Sequence, residues 1–195
     1  MFVLGITGSV GAGKSTLMRL LRRGGYVTLS ADKIFHYLLA RDPHVHNMLK
    51  RLGVAPTRPA LWAWLEQDAQ HWPLWQAFTG ALIARELHRR LLTLQRLHIA
   101  AVAIEIPLLF ELGLGVLVHQ VIGAESSQTQ QKLRLKRRGL SPKRRAAITV
   151  RGLPAFIATK LADDRVLTKG LRGKTGQFLA QAACKRTAVS TSNKR

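Results

Sequence analysis

The chain has 195 residues, a mass of 21.6 kDa and a hydrophobic content of 47%, which fit one compact domain and exclude a disordered polypeptide. No stretch reaches the roughly 18 uncharged apolar residues of a membrane span, so no membrane partner is expected. The net charge of +21 is uneven: residues 1–131 carry 13 basic and 8 acidic side chains, whereas residues 132–195 carry 18 and 2. Such a C-terminal third attracts polyanions of any kind, nucleotides, phosphorylated cofactors, nucleic acid or anionic lipid, without choosing among them.

The first predicted element is FVLGIT (2–7), a continuous apolar run ending at a glycine, as in a strand buried on both faces. It has no basic flank or small-residue cleavage site and so does not read as a signal peptide. A glycine-rich loop follows, then a helix with Leu17, Leu20 and Leu21 on one face, ended by Gly24 and Gly25. YVTLSAD (26–32) reads as a second strand, able to pair beside the first, with Asp32 just past its end. KIFHYLLARD resumes a helical period, and 58–97 reads as helices rich in Leu, Ala and Trp. HIAAVAIEIP (98–107), LVHQVIGA (117–124) and RVLT (165–168) are the remaining strand candidates. Residues 126–161 read as Lys- and Arg-rich helices, and the tail from Ala188 is small and polar. Strands alternating with helices indicate a three-layer α/β fold with a parallel sheet of about five strands.

Gly8 to Ser15, GSVGAGKS, match the phosphate-loop pattern G-x-x-x-x-G-K-[ST] in full. Glycines let the backbone curl around a phosphate with its N–H groups turned inward, and the helix beginning near Lys14 adds the positive end of its dipole. Gly11, Ala12, Gly13, Lys14, Ser15 and Thr16 are therefore candidate ATP contacts. Lys14 is expected to reach the β- and γ-phosphates, and the Ser15 hydroxyl to ligate Mg²⁺.

The wider sequence resembles the dephospho-coenzyme A kinases along nearly its whole length. Gly5 to Thr16 reproduce that family's opening, and Ser30-Ala31-Asp32 stands where it has a D-A-D-like triplet. Ile106-Pro107-Leu108-Leu109-Phe110-Glu111-Leu112-Gly113-Leu114 resembles its V-P-L-L-F-E-x-G-L, the most specific of the matches. Gln131, Arg134, Arg138 and Ser141 resemble its lid, and Ala162-Asp163 the pair before its last strand. The resemblance implies transfer of the ATP γ-phosphoryl to the ribose 3′-hydroxyl of dephospho-coenzyme A, the last step of coenzyme A biosynthesis. It implies one kinase domain over 1–187, with a helical substrate subdomain near 40–97, a lid near 126–161 and a flexible tail at 188–195.

Asp32 is the candidate general base, although an N-cap of the following helix is equally good geometry. Arg134 and Arg138 share a helical face and are candidates for binding substrate and stabilising the transferred phosphoryl group; a solvated basic face is the other reading. Leu108 and Leu109 are candidate acceptor contacts. Glu105, where the family usually has Asp, is a possible partner of magnesium-bound water or a structural carboxylate. Departures fall at Ser30, at Thr79-Gly80-Ala81 in place of His-Pro, and at Gly152, Ala158 and Thr168. Trp62, Trp64, Trp72 and Trp75 read most simply as packing, with an adenine platform as the alternative. The histidines show no zinc-ligand spacing, and the lone Cys184 favours a reducing cytoplasm. No RNP motif, zinc finger or helix-turn-helix signature accompanies the charge, so no specific nucleic-acid partner is expected. A different small-molecule kinase, or a weakened homologue that binds polyanions nonspecifically, are the competing functions.

Overall fold

The computed structural model describes residues 1–137 and 160–168. Within it β1 (Phe2–Thr7) is buried from Val3 onward, as its unbroken apolar run requires. It pairs in parallel with β3 (Ala101–Glu105) on one side and with β4 (Gln120–Glu125) on the other. β5 (Asp164–Leu167) extends the sheet beyond β4, and β2 (Val27–Ser30) lies beyond β3, giving the order β2-β3-β1-β4-β5. The second strand therefore does not sit beside the first: β3 lies between them. Nothing local to 26–32 specifies a neighbour, because strand order is decided by pairing between distant segments.

Helix α1 (Lys14–Arg23) buries Leu17 and Leu21 completely against β1, β3 and β4 residues, including Leu4, Ala103 and Ile122. Each such leucine contributes about 2 kcal/mol of burial free energy. Arg22 and Arg23 lie in the last turn, where cations suit the carbonyl end of the helix. Gly24 N–H then closes on the Leu20 and Leu21 carbonyls, and Gly25 turns the chain at φ 92°.

The third strand is shorter than its apolar run suggests. His98 takes φ 55° and the Ile99 N–H returns to Leu94 O at 3.0 Å, so 98–99 close the preceding helix instead, while Ala100 O accepts the Phe2 N–H at 2.8 Å. β4 starts late for a comparable reason: His119 pairs with Val3 through both its own N–H (2.8 Å) and its Nδ1, which accepts the Val3 N–H (3.0 Å). At the β4–β5 edge, Asp163 Oδ2 accepts the Val121 N–H at 2.7 Å and Asp164 accepts from Gln120 Nε2.

The described chain divides into two compact units: Met1–Leu29 with Leu94 onward, which holds most of the sheet, and Ser30–Thr93. The second unit holds α2 (Ala31–Arg41), α3 (Pro43–Arg51), α4 (Arg58–Gln67) and most of α5 (His71–Arg96). Asp42 caps α3 through the His44 and Val45 N–H groups, and Thr57 caps α4 through that of Ala60. Trp75 is buried edge-on to Phe35, Trp62 stacks on Trp72, and Trp64 stacks on His71 with centroids 3.9 Å apart. These contacts are the packing role that the tryptophan cluster suggests.

Glu86 is the charged centre of this unit, only 10% exposed at its side chain. Arg89 grips both carboxylate oxygens at 2.8 Å and Arg90 adds a bond at 2.7 Å. The Arg89 hydrogen bonds, opposed by burial and reinforced by Arg90, hold the carboxyl at about 2, below its usual 4.5. A depressed carboxylate stabilises the fold above its unfolded pKa and ceases to do so as pH falls through the folded one. Glu86→Gln is therefore expected to lower the melting temperature at neutral pH. It should also flatten the loss of stability between pH 4.5 and about 2. Thermal melts of both proteins across that range provide the check.

Candidate nucleotide site

The loop from Gly8 to Gly13 follows β1 at the carboxyl end of the sheet, where the strand order reverses between β3 and β4 around β1. In open α/β sheets this is the crevice that receives ligands. Gly8 takes φ 132°, and a Cβ there would stand 2.4 Å from Ala124 O. Gly8→Ala is thus expected to push the loop off β4 and destabilise the fold by about 3 kcal/mol, measurable by denaturant titration. Further round, Ala12 N–H bonds Ser9 O at 3.1 Å, closing the loop. Gly13, at φ 98°, stands as the N-cap of α1, and its carbonyl accepts the Thr16 and Leu17 N–H groups.

Lys14 is 8% exposed, its Nζ donating to Gly8 O at 2.7 Å and Ser9 O at 3.1 Å. The cation is thereby folded across the loop from the helix side. Ser15 is exposed on the first turn of α1, and Thr16 is half-buried beside it. Glu105 is half-buried at the end of β3, in register with Ile6 of β1, so its carboxylate belongs to the rim from which the loop springs. An exposed hydroxyl and a rim carboxylate are hard oxygen donors of the kind magnesium takes. No cluster of three or more His, Cys, Asp or Glu suited to a metal occurs among the described residues.

The outer side of the loop is bound by residues that the motif does not include. In α6 (Gln128–Arg137), Arg134 Nη1 donates to Gly11 O at 2.8 Å and to Thr168 Oγ1 at 3.1 Å. Thr168, 4% exposed just past β5, places its hydroxyl 2.6 Å from Ala12 O. Ser126 Oγ reaches Gly11 O at 3.3 Å. In the sequence Thr168 stands out only as a departure from the family pattern. It lies 156 positions from Ala12, and no periodicity signals that proximity.

Comparison with known proteins bears on which phosphate-loop protein this is. A dephospho-CoA kinase family model matches residues 2–169, most of the chain. The chain belongs to the dephospho-CoA kinase family. A dephospho-CoA kinase of Symbiobacterium thermophilum is 30% identical over 184 residues, covering 90% of this chain and 77% of its own. A crystal structure of the Thermus thermophilus protein TT1252 superposes with a TM-score of 0.75 at 25% identity, covering 97% of both chains. A dephospho-CoA kinase from Campylobacter jejuni, at 19% identity, shares the fold with a TM-score of 0.64 over 97% of this chain and 98% of its own.

Against this family's pattern, Ile106 and Leu109 are fully buried, and Leu109 packs against Gly5, whose added Cβ would lie 2.8 Å from Leu109 Cδ1. Leu108 is half-buried and is the one of the two candidate leucines with exposed surface. Asp32 is exposed in the first turn of α2, whose N-cap is Ser30, so the cap alternative for Asp32 does not hold. The helix simply starts two residues earlier than the sequence suggests. Thr79 and Gly80 are buried within the uninterrupted α5, where Thr79 Oγ1 donates to Trp75 O at 2.7 Å. A proline at this point would interrupt that helix. Arg138, Ser141, Gly152, Ala158 and Cys184 lie outside the described residues, as do most of the lid and the tail.

Proposed function

We propose that this kinase transfers the γ-phosphoryl group of ATP to the ribose 3′-hydroxyl of dephospho-coenzyme A. The observation that carries the reading is a complete phosphate loop, with Lys14 folded across it, in a chain that the dephospho-CoA kinase family matches over 2–169. In this reaction the acceptor oxygen bonds Pγ as the bond from Pγ to the β-bridging oxygen breaks; ADP leaves, and the hydroxyl proton passes to Asp32. Gly11, Ala12, Gly13, Lys14, Ser15 and Thr16 bind the phosphates, with Lys14 on the β- and γ-oxygens. Magnesium, where bound, neutralises charge on those oxygens; Ser15 and Glu105 are the residues that would hold it, directly or through water. In this reading Arg138 has the role of stabilising the charge spread over the transferred group, and Leu108 that of contacting the acceptor, whereas Leu109 is fully buried.

No described helix is long and apolar enough to cross a membrane. A cytoplasmic site of action accords with the single cysteine. A coupled assay of ADP release tests the function. Release is expected to require dephospho-coenzyme A and to yield coenzyme A stoichiometrically. Equal release without the acceptor, or with AMP in its place, would sink the assignment.

A further inference from the structure

We propose that Thr168 and Arg134 form a clasp that sets the phosphate loop in its nucleotide-binding conformation from the side opposite the nucleotide. The clasp acts on carbonyls. Thr168 Oγ1 carries a single proton and has two carbonyl neighbours, Ala12 O at 2.6 Å and Glu125 O at 3.1 Å; the shorter contact takes the bond. Arg134 Nη1 donates to that same hydroxyl at 3.1 Å and to Gly11 O at 2.8 Å, so two successive loop carbonyls are held outward. A trans peptide is planar, with its N–H opposite its C=O. Holding Ala12 O therefore turns the Gly13 N–H away from Thr168 and into the loop. Holding Gly11 O likewise turns the Ala12 N–H inward, where it meets Ser9 O at 3.1 Å.

The hydroxyl is itself anchored. Thr168 N–H continues the ladder to Glu125 O at 2.8 Å, and the side chain is buried. The fit leaves no slack, because a Cβ on Gly13 would stand 2.5 Å from Thr168 Oγ1 and 2.9 Å from Arg134 Nη1. Glycines make a phosphate loop flexible, and an unclasped loop would sample peptide orientations that present oxygen rather than N–H to a phosphate. Thr168 and Arg134 are thus positioning residues, which act through the backbone of Gly11, Ala12 and Gly13.

The clasp presupposes that the loop holds a nucleotide, and binding of ADP to the wild-type protein tests that separately by calorimetry. Thr168→Val keeps the shape and removes the hydroxyl. It is expected to weaken ADP and raise the KM for ATP by about tenfold, leaving the KM for dephospho-coenzyme A unchanged. Thr168→Ser restores the hydroxyl and should return ADP affinity to within about twofold of wild type. Arg134→Met, on a partly exposed helix face, should weaken ADP similarly, and the double variant should lose less than the product of the single losses. A Thr168→Val protein that binds ADP as tightly as wild type overturns the clasp. Full multiplicativity in the double variant overturns it too, since that result belongs to an Arg134 that touches the nucleotide directly. Wild-type protein that fails to bind ADP removes both the clasp and the kinase reading.

Discussion

Lys14→Ala is expected to lower kcat/KM for ATP by about a thousandfold or more, with the melting temperature changed by only a few degrees. The reason lies in where the ammonium group is held. Its Nζ lies against Gly8 O and Ser9 O, and only 8% of the residue is exposed, so the cation is already stationed in the loop before nucleotide arrives. A charge positioned in advance needs no reorganisation as negative charge moves onto the β–γ bridging oxygen. Such preorganised electrostatic stabilisation does more than any other single effect to speed phosphoryl transfer. Alanine removes the charge and also the strut between the start of the helix and the start of the loop. The hydrophobic layer under α1, built from Leu17, Met18 and Leu21, is untouched, and so the fold should persist. ADP titration and steady-state rates on a variant with a normal melting profile separate these effects. Wild-type turnover would remove Lys14 from the reaction.

Much of this site is readable because its information is contiguous. A buried strand, a glycine-rich turn and an amphipathic helix follow one another within Phe2–Arg23, and each has a period or composition of its own. The sheet class is legible for the same reason, since apolar runs near 101–105 and 120–125 recur between helical stretches. What stays hidden is what depends on distance along the chain. The position of β2 beyond β3 is a pairing choice, and a four-residue strand carries no mark of its neighbour. The two shortened strands are hidden because His98 and His119 sit within apolar runs and read as strand residues, although one closes a helix and the other pairs with Val3 by its ring.

Thr168 is the sharper case. Judged by residue type it is a loss from the family pattern; judged by geometry its hydroxyl holds Ala12 O, and Arg134 holds Gly11 O beside it. Arg134 illustrates the same limit from the other direction. Its spacing from Arg138 suggests an arginine pair facing substrate; what spacing does not signal is that its Nη1 also donates to Gly11 O and Thr168 Oγ1. Charge density marks a segment as basic, but only the fold says which of its charges make contacts to the backbone. Arg134 has such a contact through Nη1, on a helix whose last turn also carries Lys136 and Arg137.

Asp32→Asn is expected to lower kcat by about 10²- to 10⁴-fold while leaving the affinity for ADP within about twofold of wild type. Asparagine preserves size and hydrogen-bonding shape but cannot take the proton of the acceptor hydroxyl. A competing explanation, that Asp32 merely starts α2, makes a different prediction. Ser30 occupies the N-cap position and Asp32 lies inside the first turn, where an acidic side chain contributes only about 0.3–1 kcal/mol through the helix dipole. A structural role would therefore show as a small drop in melting temperature with turnover intact. The division between kcat and KM decides a second point. Loss confined to the KM for dephospho-coenzyme A would make Asp32 an anchor for the ribose, whereas loss in kcat at saturating acceptor makes it the base. Retention of wild-type kcat at saturating substrates would exclude proton transfer to Asp32 and leave the acceptor hydroxyl to be activated by another group.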